Sequence, residues 1–314
     1  MKNKLLITGA NGFVGNALCS LLSQNDIPFR AVARQGDGET IFVGNIDSST
    51  VWAEALADID VIIHAAARVH VMNDASLDPL AEFRKVNVEG TLNLARQAVA
   101  AGVHRFVFIS SIKVNGEATK LGLPFNAYDM AAPLDHYGVS KYEAEQGLLQ
   151  LAKETGIEVV IIRPPLVYGP GVKANFAAMM KWLQKGVPLP LGTIQNKRSL
   201  VALDNLVDLI WTCTHHPAAA NQIFLAGDGE DLSTTELLQR MAKALNVTSR
   251  LIPVPMWALN FGAKLLGKAD MAQRLCGSLQ VNISKARDVL GWEPPVSVDE
   301  ALLKTAQHYL RHTK

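Results

Sequence analysis

Tyr137 and Lys141 stand four residues apart in Tyr137-Gly138-Val139-Ser140-Lys141, a spacing that puts both on one face of a helix. An ammonium a few ångströms from a phenol favours the phenolate and draws the tyrosine's pKa down from about 10. A tyrosine so tuned can give a proton to an alkoxide or take one from a hydroxyl. Ser111 follows the apolar run Arg105-Phe106-Val107-Phe108-Ile109-Ser110. At the carboxyl end of a buried strand, it lies at the sheet edge where ligands bind open α/β sheets. Ser110 is expected to be a backbone-packing partner, although the two serines could exchange roles.

Upstream, Gly9-Ala10-Asn11-Gly12-Phe13-Val14-Gly15 spaces three glycines at intervals of three between an expected strand and an expected helix. One glycine permits a tight turn, another lets a diphosphate approach the backbone, and another lets helix and strand pack closely. The helix start near Phe13 adds free N–H groups and a positive dipole end. The turn therefore implies a bound dinucleotide.

The elements that must position these groups alternate along the first half of the chain. Strands are expected at residues 4–8, 29–33, 40–43, 61–64, 105–110 and 158–163, and helices at 13–24, 79–101 and 137–154. Apolar strands alternating with amphipathic helices imply an α/β fold, a doubly wound parallel sheet. After Pro165 the pattern loosens. A strand near 200–203, a helix over 204–215 and a strand over 222–225 are followed by helices near 233–245, 256–266, 284–290 and 298–312. A smaller, mostly helical C-terminal lobe is expected, with residues 1–165, rejoined by about 199–226, forming the dinucleotide domain. Residues 166–198 and 227–314 would then form the substrate lobe. The apolar stretch 255–266 is read as a buried helix, too short to span a bilayer.

The 314 residues carry 30 Lys and Arg against 29 Asp and Glu, so long-range attraction to nucleic acid or an anionic membrane is not expected. Cys19, Cys213 and Cys276 form neither a disulfide framework nor a zinc spacing, which fits a reducing compartment. The apolar run after Lys4 breaks at Thr8-Gly9, too early for a signal peptide, so a cytoplasmic location is expected. His64 and His136 lack partners at metal spacing and are read as structural, with no metal site. His215-His216 suits the negative end of a helix.

Along nearly the whole chain the sequence resembles the extended short-chain dehydrogenase/reductases, the NAD-dependent epimerase/dehydratase group acting on nucleotide-sugars. The resemblance rests on the glycine turn, His64-Ala65-Ala66-Ala67, Asn87-Val88-Glu89-Gly90-Thr91, Ser110-Ser111, Tyr137 to Lys141, and Arg163-Pro164-Pro165 before Tyr168-Gly169-Pro170. It implies a Rossmann sheet in which Tyr137, Lys141 and Ser111 are catalytic and Lys141 also holds the nicotinamide ribose. It further implies cofactor contacts from Gly9, Asn11, Gly12, Phe13, Val14, Gly15, Ile46, Ala65, Ala66, Ala67, Ser110 and Pro164. Asn87 is either a bridge to the catalytic groups through water or a plain helix-interior residue. Asn45 stands where relatives carry an adenine-binding acid, with Asp47 the weaker candidate. Arg34 ends the second strand and favours NADP(H), because its guanidinium fork can bind a 2′-phosphate; stacked on adenine or solvated, it leaves NAD(H) open.

Dehydratases of the group place Asp-Glu after the catalytic hydroxyl residue, where this chain has Ile112-Lys113, so dehydration is not expected. Reduction and epimerisation at C4 use the same three residues. Arg34 and the later segments 198–207 and 282–287, which resemble enzymes of surface-polysaccharide sugar synthesis, favour reduction of a UDP-4-keto-6-deoxy-N-acetylhexosamine. UDP-hexose or UDP-N-acetylhexosamine 4-epimerisation is the alternative, and a non-catalytic dinucleotide-binding regulator the remote one. Asn175, Phe176, Arg198 and Arg274 match positions that hold uracil and diphosphate in relatives. Leu279 falls near a gatekeeper for the C2 substituent, and Leu166 replaces an asparagine common in epimerases. A homodimer through the helices 79–101 and 137–154 is implied by the resemblance.

Overall fold

Residues 5–8, 61–64 and 105–109 are buried at every position, so these strands can exist only inside a sheet covered on both faces. The protein is seen here as a computed structural model that describes residues 4–34, 40–69, 78–265, 267, 273 and 275–312. Seven parallel strands make the main sheet: β1 (Leu5–Thr8), β2 (Phe29–Ala33), β3 (Ile41–Phe42), β4 (Val61–His64), β5 (Arg105–Ile109), β6 (Glu158–Arg163) and β9 (Gln222–Leu225). Their spatial order is β3-β2-β1-β4-β5-β6-β9. A second sheet joins β7 (Leu166–Tyr168), β8 (Arg198–Ala202) and β10 (Asp231–Leu232). The helices are α1 (Phe13–Gln24), α2 (Ala53–Leu56), α3 (Pro79–Arg84), α4 (Thr91–Ala100), α5 (His136–Thr155), α6 (Ala174–Gln184), α7 (Leu203–His215), α8 (Thr234–Ala244), α9 (Met256–Leu265), α10 (Ser284–Leu290) and α11 (Val298–His312).

Strand alternation splits the core in two. Leu5, Ile7, Val61 and Ile63 face α1 and α7, whereas Leu6, Ile62, Phe106 and Phe108 face α4 and α5. A third cluster gathers Tyr168, Phe176, Met180, Leu238 and Leu302 between β7, α6, α8 and α11. Strand order reverses between β1 and β4, and the loops leaving these two strands meet there, which is where open parallel sheets bind ligands. Among the described residues, no helix is long and apolar enough to cross a membrane.

Several elements depart from the sequence reading, the short α2, β7 and β10 among them. The single helix expected over 79–101 is divided by a π-helical turn at Lys85–Gly90, between α3 and α4. Gly90 lies there against Ile46, where an added Cβ would come within 2.8 Å of the isoleucine side chain. Apolar periodicity is blind to such a turn, because one extra residue shifts register without changing composition. The loose region after Pro165 contains regular α6, and α9 is exposed rather than buried, with Trp257 74%, Phe261 63% and Leu265 72% accessible.

Candidate active site

The three glycines are required by backbone contacts. Gly9 adopts φ +70°, and an added Cβ would lie 2.8 Å from the Ala66 nitrogen in the loop leaving β4. At Gly15 a Cβ would fall 2.1 Å from the Gly9 carbonyl oxygen, so α1 can close onto β1 only without a side chain. Gly12 donates its N–H to the Gly9 carbonyl at 2.8 Å and caps α1 with no side-chain cap and no acid in the first turn. The helix therefore opens its N-terminal N–H groups and dipole toward an anion. Phe13 and Val14 are half-buried, and Asn11 and Gly12 exposed, along this cradle. Its shape and its donors fit a dinucleotide diphosphate.

Around that turn, Ala65, Ala66 and Ala67 line the loop after β4 with small, half-buried side chains. Arg34 is exposed at the end of β2, and Asn45 is exposed beside buried Ile46. The Asp47 carboxylate accepts from the Ser49 N–H at 2.9 Å and hydroxyl at 2.7 Å, bonds that hold it below the ordinary carboxylate range. Asp47 is thus committed to its own turn, which leaves Asn45 the freer group. His64 bonds the Thr8 hydroxyl at 2.7 Å and the Thr91 hydroxyl at 3.0 Å and stacks on Phe108. Burial, aided by the Lys141 charge, lowers its pKa to about 3, as befits a neutral core histidine. No group of three or more His, Cys, Asp or Glu among the described residues could hold a metal ion.

Tyr137 lies in the first turn of α5, half-buried and edge-on to Phe83. Asp135 caps that helix by accepting from the Gly138 N–H at 2.6 Å, and its carboxylate also pairs with Lys113. Gly138 lets the Ser111 turn close onto α5, since an added Cβ would sit 2.9 Å from the Lys113 carbonyl. Ser111 caps the 3-10 turn Ile112–Val114, accepting from the Lys113 N–H at 3.3 Å, and Ile112 N–H bonds the carbonyl of buried Pro164 at 3.0 Å. The structure thus joins the end of β5, the start of α5 and the end of β6 around one place.

Lys141 does not draw Tyr137 toward ionisation here, contrary to the sequence expectation. Its ammonium lies 4.1 Å from the Phe108 ring centroid and is buried, which lowers its pKa to about 7, while the Glu145 charge pulls the other way. The Tyr137 phenol is raised above its ordinary pKa, first by burial and then by the negative Asp135. The rise has a physical reason: desolvation and a nearby carboxylate both oppose a phenolate.

Asn87, in the π-turn, is buried and fully used. Its carboxamide accepts from the Arg68 N–H at 2.8 Å and donates to the Arg68 carbonyl and the Ser140 hydroxyl, each at 3.0 Å. Ser140 in turn donates to the Tyr137 carbonyl at 2.8 Å. The residue that sequence reasoning left between two roles pins the loop after β4 to the tyrosine's helix.

Beneath the site lies a buried ion pair that motif reading missed. The Arg163 guanidinium grips Glu145 through Nε at 2.9 Å and Nη2 at 2.5 Å, and Nη1 donates to the side-chain Oδ1 of Asn115 at 2.9 Å. Ser110 gives its hydroxyl to the same carboxylate at 2.5 Å. The Ser110 side chain is therefore directed into this network, and Ser111 is the serine left at the turn. Glu145 stands one helical turn beyond Lys141, a spacing that could have flagged it.

Among the residues expected to meet a substrate, Leu279 is buried beside Ile112, and Arg198 pairs with it through an isolated β-bridge. Arg198 Nη1 donates to the Gly277 carbonyl at 3.1 Å, and burial lowers the guanidinium pKa. Leu279 is thereby brought against the turn that follows Ser111, with Arg198 paired beside it. The Phe176 ring is instead stacked on Tyr168 in the third cluster, so only its backbone and exposed Asn175 remain for a ligand. Leu166 is exposed on β7. Arg274 lies outside the described residues.

A doubly wound sheet with a glycine turn at its reversal point and a Tyr–Lys pair on the flanking helix places the protein among dinucleotide-dependent enzymes of the short-chain dehydrogenase type. More narrowly, the chain belongs to the NAD dependent epimerase/dehydratase family, whose sequence model matches residues 5–227. A UDP-glucose 4-epimerase of Vibrio cholerae is 50% identical over 317 residues, covering 99% of this chain and 97% of that protein. An N-acetyl-alpha-D-glucosaminyl-diphospho-ditrans,octacis-undecaprenol 4-epimerase of Escherichia coli O157:H7 is 25% identical over 100% of this chain and 97% of its own length. The crystal structure of UDP-glucuronic acid 4-epimerase from Bacillus cereus, in complex with NAD, superposes with a TM-score of 0.79 at 21% identity, covering 99% of this chain and 100% of the other. That likeness confirms the fold.

Proposed function

We propose that the protein inverts C4 of a diphosphate-linked hexose, with a UDP-hexose or UDP-N-acetylhexosamine as substrate. The observation that carries the reading is full-length 50% identity to a protein named as a UDP-glucose 4-epimerase, in a chain that keeps Ser111, Tyr137 and Lys141 at one sheet edge. The order of preference drawn from sequence, reduction ahead of epimerisation, is accordingly reversed. Dehydration remains disfavoured, because the place after Ser111 holds buried Ile112 and a Lys113 already paired with Asp135.

The glycine turn, Asn45, Ile46 and the Ala65–Ala67 loop would hold a nicotinamide dinucleotide, which when bound supplies the two-electron acceptor and donor for C4. Ser111 orients the C4 oxygen by hydrogen bonding. Tyr137 takes and returns the proton of that oxygen at its Oη. Because the phenol is held protonated in the free protein, its service as a base requires added positive charge in its surroundings, for which Lys141 is the protein's own source. Asn87 and Ser140 fix the tyrosine's backbone, and Glu145 with Arg163 fixes the floor. Arg198 and Leu279, with Asn175, Arg274 and the backbone of Phe176, would meet the nucleotide-sugar in a lobe formed by residues 166–198 and 227–314. Residues 1–165 with about 199–226 would form the dinucleotide part, and α3 to α5 a homodimer face.

A second reading is C4 reduction of a UDP-4-keto-6-deoxy-N-acetylhexosamine with NADPH. It is favoured by Arg34 at the exposed end of β2 and by a Tyr137 poised as a proton donor. The test gives purified protein UDP-glucose and UDP-N-acetylglucosamine without added cofactor, and the keto-sugar with NADPH. Inversion at C4 with no net cofactor consumption supports epimerisation. Stoichiometric NADPH loss with the keto-sugar, and no inversion of either UDP-sugar, replaces it with reduction.

A further inference from the structure

Net charge conceals an uneven surface. Residues 159–203 and 237–269 contain no Asp or Glu at all, although the chain as a whole balances 30 cations with 29 acids. These stretches meet where Leu189 pairs with Leu251, with Ile252 N–H bonding the Leu189 carbonyl at 2.8 Å and Gly192 N–H the Ile252 carbonyl at 3.0 Å. The paired segment leads directly into α9.

On α9, Trp257, Phe261 and Leu265 recur every four residues and form one stripe. All three are more exposed than buried, and Ile252 at the helix's approach is exposed as well. A water-facing helix face is ordinarily polar, and a run of large exposed apolar side chains marks a surface that meets something else. Lys264 on the helix, Arg250 before it, and Lys181 and Lys185 at the end of α6 are exposed cations. Apolar aromatic stripe, flanking lysine and arginine, and no acid: this is the composition of helices that lie in the plane of a membrane surface.

We propose that the α9 stripe with its basic flank docks the protein on an anionic phospholipid bilayer, lying on the surface without spanning it. A second copy of the chain is the poorer occupant, since a two-fold contact through this patch would bring Lys264 and Arg250 against their own like charges. The proposal goes beyond the C4 reaction and is independent of which reading of it holds.

The test uses the full chain with vesicles of phosphatidylcholine alone and of equimolar phosphatidylcholine and phosphatidylglycerol. Expected is co-sedimentation with the anionic vesicles only, weakened by salt, and a blue shift of tryptophan emission on binding. The Phe261→Glu/Leu265→Glu variant should lose about tenfold or more of the vesicle partition, while circular dichroism and turnover of a soluble UDP-sugar stay unchanged. Absence of wild-type binding to anionic vesicles overturns the proposal without reference to any variant. So does equal binding by the double variant. A drop in oligomer mass by light scattering in that variant would make α9 a protein interface. A raised KM for the soluble sugar with vesicle binding intact would make it a substrate cover. Either result replaces the bilayer.

Discussion

Replacing Glu145 by Gln keeps its shape and removes one negative charge from a place without water. The Glu145 and Arg163 side chains are 0% and 4% exposed, so solvent screens neither. The guanidinium, charged at every accessible pH, would keep its Asn115 bond at 2.9 Å and lose its counter-ion. One Gln oxygen can still accept from Arg163 or from Ser110, but the new amide N–H₂ would face a donor. Breaking a buried pair by removing one partner costs about 3–5 kcal/mol. At roughly 2 °C of melting temperature per kcal/mol for a chain of this size, the midpoint should fall by about 6–10 °C. Lys141 should change too. Glu145 opposes the burial that lowers its pKa to about 7, so the variant's lysine should titrate lower still. Differential scanning calorimetry reads the first effect, and NMR of the lysine Cε as a function of pH reads the second. Glu145→Met with Arg163→Met should recover much of the lost stability, because an apolar pair leaves no orphaned charge. A single variant within ~1 kcal/mol of wild type, or a double variant no better than the single, would refute the reasoning.

Other perturbations probe the remaining parts of the site. Tyr137→Phe should lower turnover by about 10²–10⁴-fold with dinucleotide affinity nearly unchanged, measured by steady-state kinetics beside calorimetric titration. Gly15→Ala forces a Cβ toward the Gly9 carbonyl, 2.1 Å away in the native backbone, and should abolish dinucleotide binding; binding at wild-type affinity would mean that the turn can open. Arg34→Asp should move the NADPH to NADH affinity ratio toward NADH, and an unchanged ratio makes Arg34 a bystander. His64 has a folded pKa of about 3 against an ordinary 6.5, so the unfolded chain binds the extra proton between those values. Its contribution to stability is present above about pH 6.5 and is lost as pH falls toward 3. Thermal midpoints over that window should drop less steeply in His64→Gln, and parallel curves would remove the histidine from the acid limb.

Local patterns were legible in the chain. The glycine turn, the Tyr137–Lys141 spacing and the unbroken apolar runs of β1, β4 and β5 each involve residues within a few positions of one another, where sterics and burial act directly. The amphipathic helices α7, α8 and α11 follow for the same reason. Ser111 over Ser110 could not be decided there, because which hydroxyl faces inward depends on where Glu145 arrives from another element. The π-turn at Lys85–Gly90 was equally hidden, since the Asn87 bonds that accompany it reach to Arg68 and Ser140.

Sequence by itself determined the fold class and the glycine turn, and it singled out Ser111, Tyr137 and Lys141 as the candidate reacting side chains, all properties carried by short stretches of chain. Tertiary structure alone decided how those side chains are charged, since the pKa of Lys141 follows from Phe108, Glu145 and the loss of water on every side. It also decided which apolar helix meets solvent: α9 reads as core because hydropathy records what a residue prefers, while packing elsewhere determines whether a partner is there to cover it.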